Sequence, residues 1–352
     1  AKQGKISATD AFNYYLGWLT NSSISPHFQF IPDSSVEFAK QWGMKVAVGD
    51  LHRVIQSARK LGGQVVLGGH SLGGAVVTAY ATWNFHGHPG AAQLAGLIFD
   101  DGGSFPASSG ADTTSRLRAL MAPSASPWLV FGGIAAPFAG LFNATGSLGA
   151  LLDPNSPSVG QQFSLLPADL KPPVPVTNLS EYGYALDTKS SPPALAAAQA
   201  HLGQLSPTGP VHGWERDGAL TPIRRFATMF SGMGIDDADG TEWYFPGRLT
   251  LDTSAIGNGI ANPAQKVLGV NATMGRRLPH SLRIYAFDTS LGGPGVLAAA
   301  KQLARQSHIP RSHLTLIDRH RTYAHNDPNG AYPHNAFFAR LVPYLTSVAS
   351  EL

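Results

Sequence analysis

No cysteine occurs in the 352 residues of this chain. That excludes disulfides, thiolate metal sites and a cysteine nucleophile, and says nothing of the compartment. Charge is also sparse, with Asp, Glu, Lys and Arg making up 13% of the residues and a formal net charge of only +3. No Lys/Arg block is interleaved with aromatics, so nucleic acid is not an expected partner. A charge-free run extends from Ala119 to Leu152. Pro123, Pro127, Pro137 and five glycines interrupt it. Each break would leave backbone groups unbonded in lipid, so no membrane span is expected. Histidines are present, but no His-Glu-x-x-His helix accompanies them, so neither a metal nor another cofactor is expected.

What the chain does have is Gln64-Val-Val-Leu-Gly-Gly-His-Ser-Leu-Gly-Gly-Ala-Val-Val-Thr-Ala-Tyr80. Gly69-His70-Ser71-Leu72-Gly73 has the form Gly-x-Ser-x-Gly. Val65 to Leu67 reads as a buried strand, and Ala75, Val76, Ala79 and Tyr80 recur at helical spacing. A strand, a tight Gly-rich turn and a helix are the setting that pushes a serine hydroxyl out of a sheet, so Ser71 is the candidate nucleophile. Gly146-Ser-Leu-Gly149 and Thr289-Ser-Leu-Gly292 lack both the leading glycine and a strand ending at the serine.

The patterns predict a helix over 8–20, a long helix over 34–61 broken near Gly49, and a strand over 94–99. They also predict a turn at 86–90 and a hairpin over 243–252. Towards the C-terminus follow a strand over 282–287, a helix over 296–305, a strand over 314–317 and a closing helix over 335–348. Alternation of strand and helix implies an α/β fold with a mostly parallel sheet flanked by helices. The segment 106–278 differs in character and reads as an inserted apolar cap or lid between core regions 1–105 and 279–352.

A serine nucleophile needs a base, and the base an orienting acid. Asp288, directly after a strand, is the candidate acid, with Asp100 and Asp101 as alternatives. The loop after the last strand offers His325 as base, with His334 as the alternative. His320 stands between Arg319 and Arg321, where like charge disfavours its cationic form.

Together these residues resemble the α/β-hydrolase family in its esterase/lipase branch. The resemblance rests on the elbow 69–74, Asp288 at a strand end and His325 in a late loop. It implies attack by Ser71 on an ester carbonyl, proton transfer through His325, orientation by Asp288, and an oxyanion hole that includes the Leu72 N–H. The expected partner is a small hydrophobic ester. An acyltransferase, thioesterase or amidase would use the same triad, and a non-catalytic binding protein would use the scaffold alone. Before Gln64 the chain has no convincing strand beyond Phe28 to Ile31. Further polypeptide N-terminal to Ala1 is therefore expected, to supply strands and a second oxyanion donor.

Overall fold

The computed structural model describes residues 1–104, 106–131, 134–233 and 245–350. The chain divides into two compact units. One comprises residues 33–129, 246–322 and 336–352 and carries the sheet; the other comprises 1–32, 130–245 and 323–335 and is mainly helical. Residues 106–278, expected as one insertion, are thus shared between the units.

The sheet has four parallel strands in chain order, β1 (Val66–His70), β2 (Gly96–Asp100), β3 (Arg283–Phe287) and β4 (Leu314–Ile317). Alternation along β3 gives the sheet its two covered faces. Ile284 and Ala286 share a core with Val296, Leu297, Ala300 and Leu303 of the helix Pro294–Gln306. Tyr285 and Phe287 pack edge-on against Phe337 of the helix Ala336–Ala349. The Tyr285 hydroxyl donates to Phe337 O at 2.8 Å. Among the described residues β1 pairs with β2 alone, and Gly68 is exposed. The continuous apolar run at 65–67 implied a strand covered on both faces; the two glycines that follow it carry no side chain to bury.

Several elements differ from their sequence pattern. The helix expected over 34–61 is two 3-10 turns, Asp33–Ser35 and Glu37–Gln41, followed by an α-helix Met44–Lys60 that is unbroken at Gly49. The break falls at Gly43 because a distant carboxylate caps the helix there. Asp252 Oδ2 accepts from Met44 N at 2.8 Å, and a Cβ at Gly43 would lie 2.1 Å from that oxygen. In the expected hairpin over 243–252, Trp243 and Tyr244 lie outside the described residues, and Gly247–Thr253 is a helix. Residues 28–31 form no strand; Phe28 and Phe30 instead join an aromatic cluster with Tyr15 and Phe138. No helix among the described residues is long and apolar enough to cross a membrane.

In the helical unit, the long helix Ala136–Leu152 begins with Pro137 in its first turn, where a missing N–H is harmless. It buries Leu141, Ala144, Leu148 and Ala150. The helix Asn178–Leu186 packs against it, capped by the Thr177 side chain accepting from Ser180 N.

Candidate active site

Parallel register places the candidate residues of the sheet unit in a row. His70, Asp100, Phe287 and Ile317 lie level across the four strands. The next residue of each strand is therefore Ser71, Asp101, Asp288 and Asp318. Main-chain bonds carry the ladder one step further: Ser71 N to Asp100 O at 2.9 Å, Asp101 N to Phe287 O at 2.8 Å, and Asp288 N to Ile317 O at 3.1 Å. This row lies at the carboxyl ends of parallel strands, the edge where open α/β sheets bind ligands. Ser71 and Asp288 stand two strands apart, roughly 10 Å at ordinary strand spacing.

Ser71 has φ 56° and ψ −125° and caps the helix Leu72–Thr82. A non-glycine residue there is strained, and strain of this kind persists only where the surroundings enforce it. The enforcement comes from glycines. A Cβ at Gly69 would lie 2.2 Å from Gly73 O, one at Gly74 2.4 Å from Gly102 C, and one at Gly102 1.9 Å from Ser71 O. The chain therefore turns back sharply and leaves the Ser71 side chain half-exposed at the helix N-terminus. Leu72 opens that helix, so its N–H is among the amides that have no acceptor within it. An N–H in that position suits a developing negative charge.

Asp288 is fully buried. Its Oδ1 accepts from Arg319 N at 2.6 Å and His320 N at 3.1 Å, while Oδ2 has no hydrogen-bond partner. Burial raises its pKa above the ordinary carboxylate value, and the two amides oppose that rise. Asp101 is committed elsewhere, with Oδ1 accepting from Thr289 N at 2.7 Å and Oδ2 from the Thr289 hydroxyl. Asp100 is 4% exposed and its Oδ1 is unpartnered. Burial, then the neighbouring Asp101, hold its carboxyl well above its usual pKa, and a carboxyl that resists ionisation is poorly suited to stabilise an imidazolium.

Three histidines take different positions. His320 belongs to the sheet unit, and its Nδ1 lies 2.7 Å from Asp318 Oδ1 and 3.8 Å from Asp288 Oδ2. Two carboxylates thus flank it, a balance that the adjacent arginines in the sequence concealed. Asp288, Asp318 and His320 also bring ligand atoms within 4.8 Å of one another, a spacing that could hold a cation. His325 belongs to the helical unit and is 1% exposed. His334, in the same unit, is exposed just before the closing helix. Among the described residues, no side chain of the sheet unit hydrogen-bonds the Ser71 hydroxyl.

The residues after His325 fix its place in the helical unit. Asn326 Nδ2 donates to Ala197 O at 3.0 Å and Gln199 O at 3.2 Å. Asp327, fully buried, accepts from His201 N at 3.0 Å, Thr221 Oγ1 at 2.7 Å and Ala324 N at 2.7 Å. Its Oδ2 also lies 2.5 Å from His201 Nδ1. The Asp327 bond is the main cause that raises the His201 pKa. None of His201, Asn326 and Asp327 stands out in the sequence. The only local signal is Asn-Asp-Pro, which predicts a turn and a helix start, and Asp327–Gly330 is a short helix.

Comparison of the chain with family models, with curated proteins and with solved structures found no match.

Proposed function

We propose that the chain is a serine hydrolase of the α/β-hydrolase type that cleaves hydrophobic carboxylic esters. The observation that carries this reading is the strained Ser71 backbone at a strand-to-helix turn, two strands from the buried Asp288 carboxylate. In the proposed reaction Ser71 Oγ attacks the ester carbonyl carbon while His325 accepts the hydroxyl proton. The tetrahedral oxyanion is met by the Leu72 N–H. Collapse breaks the bond to the alcohol oxygen, which takes the proton back from the imidazolium. Water then repeats the sequence on the acyl-enzyme and regenerates Ser71. Asp288 holds the imidazole and stabilises its cationic form. The firm anchoring of Asn326 and Asp327 supports His325 as base, because a base acts only from a fixed position.

A second base has its own support, since His320 is the histidine the sheet unit holds against Asp288, 3.8 Å from Oδ2. Acyl transfer, thioester or amide cleavage would use the same residues.

Labelling with a fluorophosphonate, together with hydrolysis of p-nitrophenyl esters of rising chain length, tests the reading. Ser71→Ala is expected to abolish labelling and lower kcat on the order of a thousandfold or more. His325→Ala should match it, and Asp288→Asn should fall short of it. Retention of turnover by Ser71→Ala would overturn the reading. A dead His320→Ala beside an active His325→Ala would transfer the base role to His320.

A further inference from the structure

The helical unit holds a partly open cavity of about 130 Å³ among the helices Ala8–Tyr15, Ala136–Leu152 and Asn178–Leu186. Its walls are mostly apolar, with Phe12, Phe142, Phe163 and Leu195 prominent. The volume is close to that of an engineered apolar cavity, about 150 Å³, that admits benzene.

Most polar groups on the wall are already engaged. Thr145 Oγ1 donates to Leu141 O at 2.7 Å. Asn178 accepts from Val159 N at 3.1 Å and donates to Asp153 O at 2.8 Å. Asn143 Oδ1 accepts from the Tyr182 hydroxyl at 3.0 Å. Glu181, the one carboxyl on the wall, is not engaged. It lines the cavity, is 8% exposed, and its carboxyl has no hydrogen-bond partner among the described residues. Gly160 leaves the space that the carboxyl occupies, since a Cβ there would lie 2.9 Å from Glu181 Oε2. The nearest cationic influence is Lys171, whose ammonium is engaged by Phe163 O at 2.7 Å. Burial of an unpaired carboxyl is unfavourable, so a conspicuously unpartnered one facing an apolar void calls for a ligand donor.

We propose that this cavity binds a small apolar molecule carrying one N–H or O–H head, a hydrophobic amine or alcohol of about the bulk of a substituted benzene, with the head donating to Glu181. Burial raises the Glu181 pKa to about 7, so at neutral pH the carboxyl is poised to gain from such a donor. The site lies wholly within the helical unit and does not depend on the chemistry of Ser71.

The test measures binding of benzylamine, benzyl alcohol and toluene to the full chain by calorimetry or ligand-observed NMR. The two donor-headed probes should bind at least severalfold more tightly than toluene, which fills the same volume without a donor. In Glu181→Leu that preference should vanish, with toluene binding improved. Glu181→Gln keeps an acceptor but no charge, so it should retain benzyl alcohol and weaken benzylamine, which is an ammonium at neutral pH. Leu195→Trp, which fills the cavity, should abolish binding of all three. Equal affinity of the three probes for the unaltered chain, or no binding at millimolar concentration, overturns the proposal without recourse to any variant.

Discussion

Around Ser71 three close approaches make glycine necessary, and the pentapeptide pattern names only one of the residues involved. Gly69, Gly74 and Gly102 each leave no room for a methyl group against main-chain atoms, whereas a Cβ at Gly73 meets nothing within 4 Å. Gly74→Ala is therefore expected to displace the elbow and destabilise the protein by about 1–3 kcal/mol, the usual cost of overpacking. Gly73→Ala sits in an open helical position and should be neutral, or stabilising by about 0.5–1 kcal/mol. Chemical denaturation and ester turnover of both variants check this, and an inactive Gly73→Ala would contradict it. The strand-to-helix turn at Ser71 was legible because strand, turn and helix are local signals. The approach of Gly102 was not, because it depends on β2 pairing beside β1. His201 and Asp327, 126 residues apart, carry no pattern that joins them.

Elements were legible where hydrophobic period and punctuation agree. Strand 314–317 matches its pattern, while Arg283–Phe287, Pro294–Gln306 and Ala336–Ala349 differ from theirs by a residue or two at one or both ends. The helix Met44–Lys60 was misread because its start is set by a partner remote in sequence. Asp252, 1% exposed, accepts from Met44 N and from Arg248 Nε at 2.7 Å. Arg248 Nη2 in turn donates to Leu268 O at 2.7 Å. Asp252→Ala leaves a largely buried guanidinium unpaired and an amide unbonded, and is expected to destabilise by about 3 kcal/mol. Arg248→Ala should be similarly damaging, and the double variant should recover part of the loss, because neither partner is then left alone. A strictly additive double variant in denaturant unfolding would show that the two do not act as a pair.

At the scale of the molecule, strand order follows chain order, which is why alternation of strand and helix was enough to imply the parallel sheet. The division into units was not legible, since residues 1–32 and 323–335 join 130–245 through contacts that no composition shift announces. The same assembly sets how stability responds to pH. Burial raises the pKa of Asp100, Glu181, Asp252 and Asp288 above their usual values, and the bond to Asp327 raises that of His201. In each case the folded chain holds its proton more firmly than the unfolded chain, so folding takes up protons and stability falls as pH rises. For Glu181 the relevant stability is fully present below its unfolded value of 4.5 and is lost as pH passes through about 7. That one group is worth about 3 kcal/mol between those limits. His201 adds a loss that begins above its unfolded value of 6.5. Maximum stability is therefore expected on the mildly acidic side, near the unfolded carboxylate range, with a decline towards pH 8. Glu181→Gln cannot ionise, so its stability should decline less steeply between pH 4.5 and 7, and it should exceed the unaltered chain at pH 8. Urea midpoints measured across pH 4.5 to 8 decide the matter, and a Glu181→Gln profile parallel to that of the unaltered chain would remove Glu181 from the account.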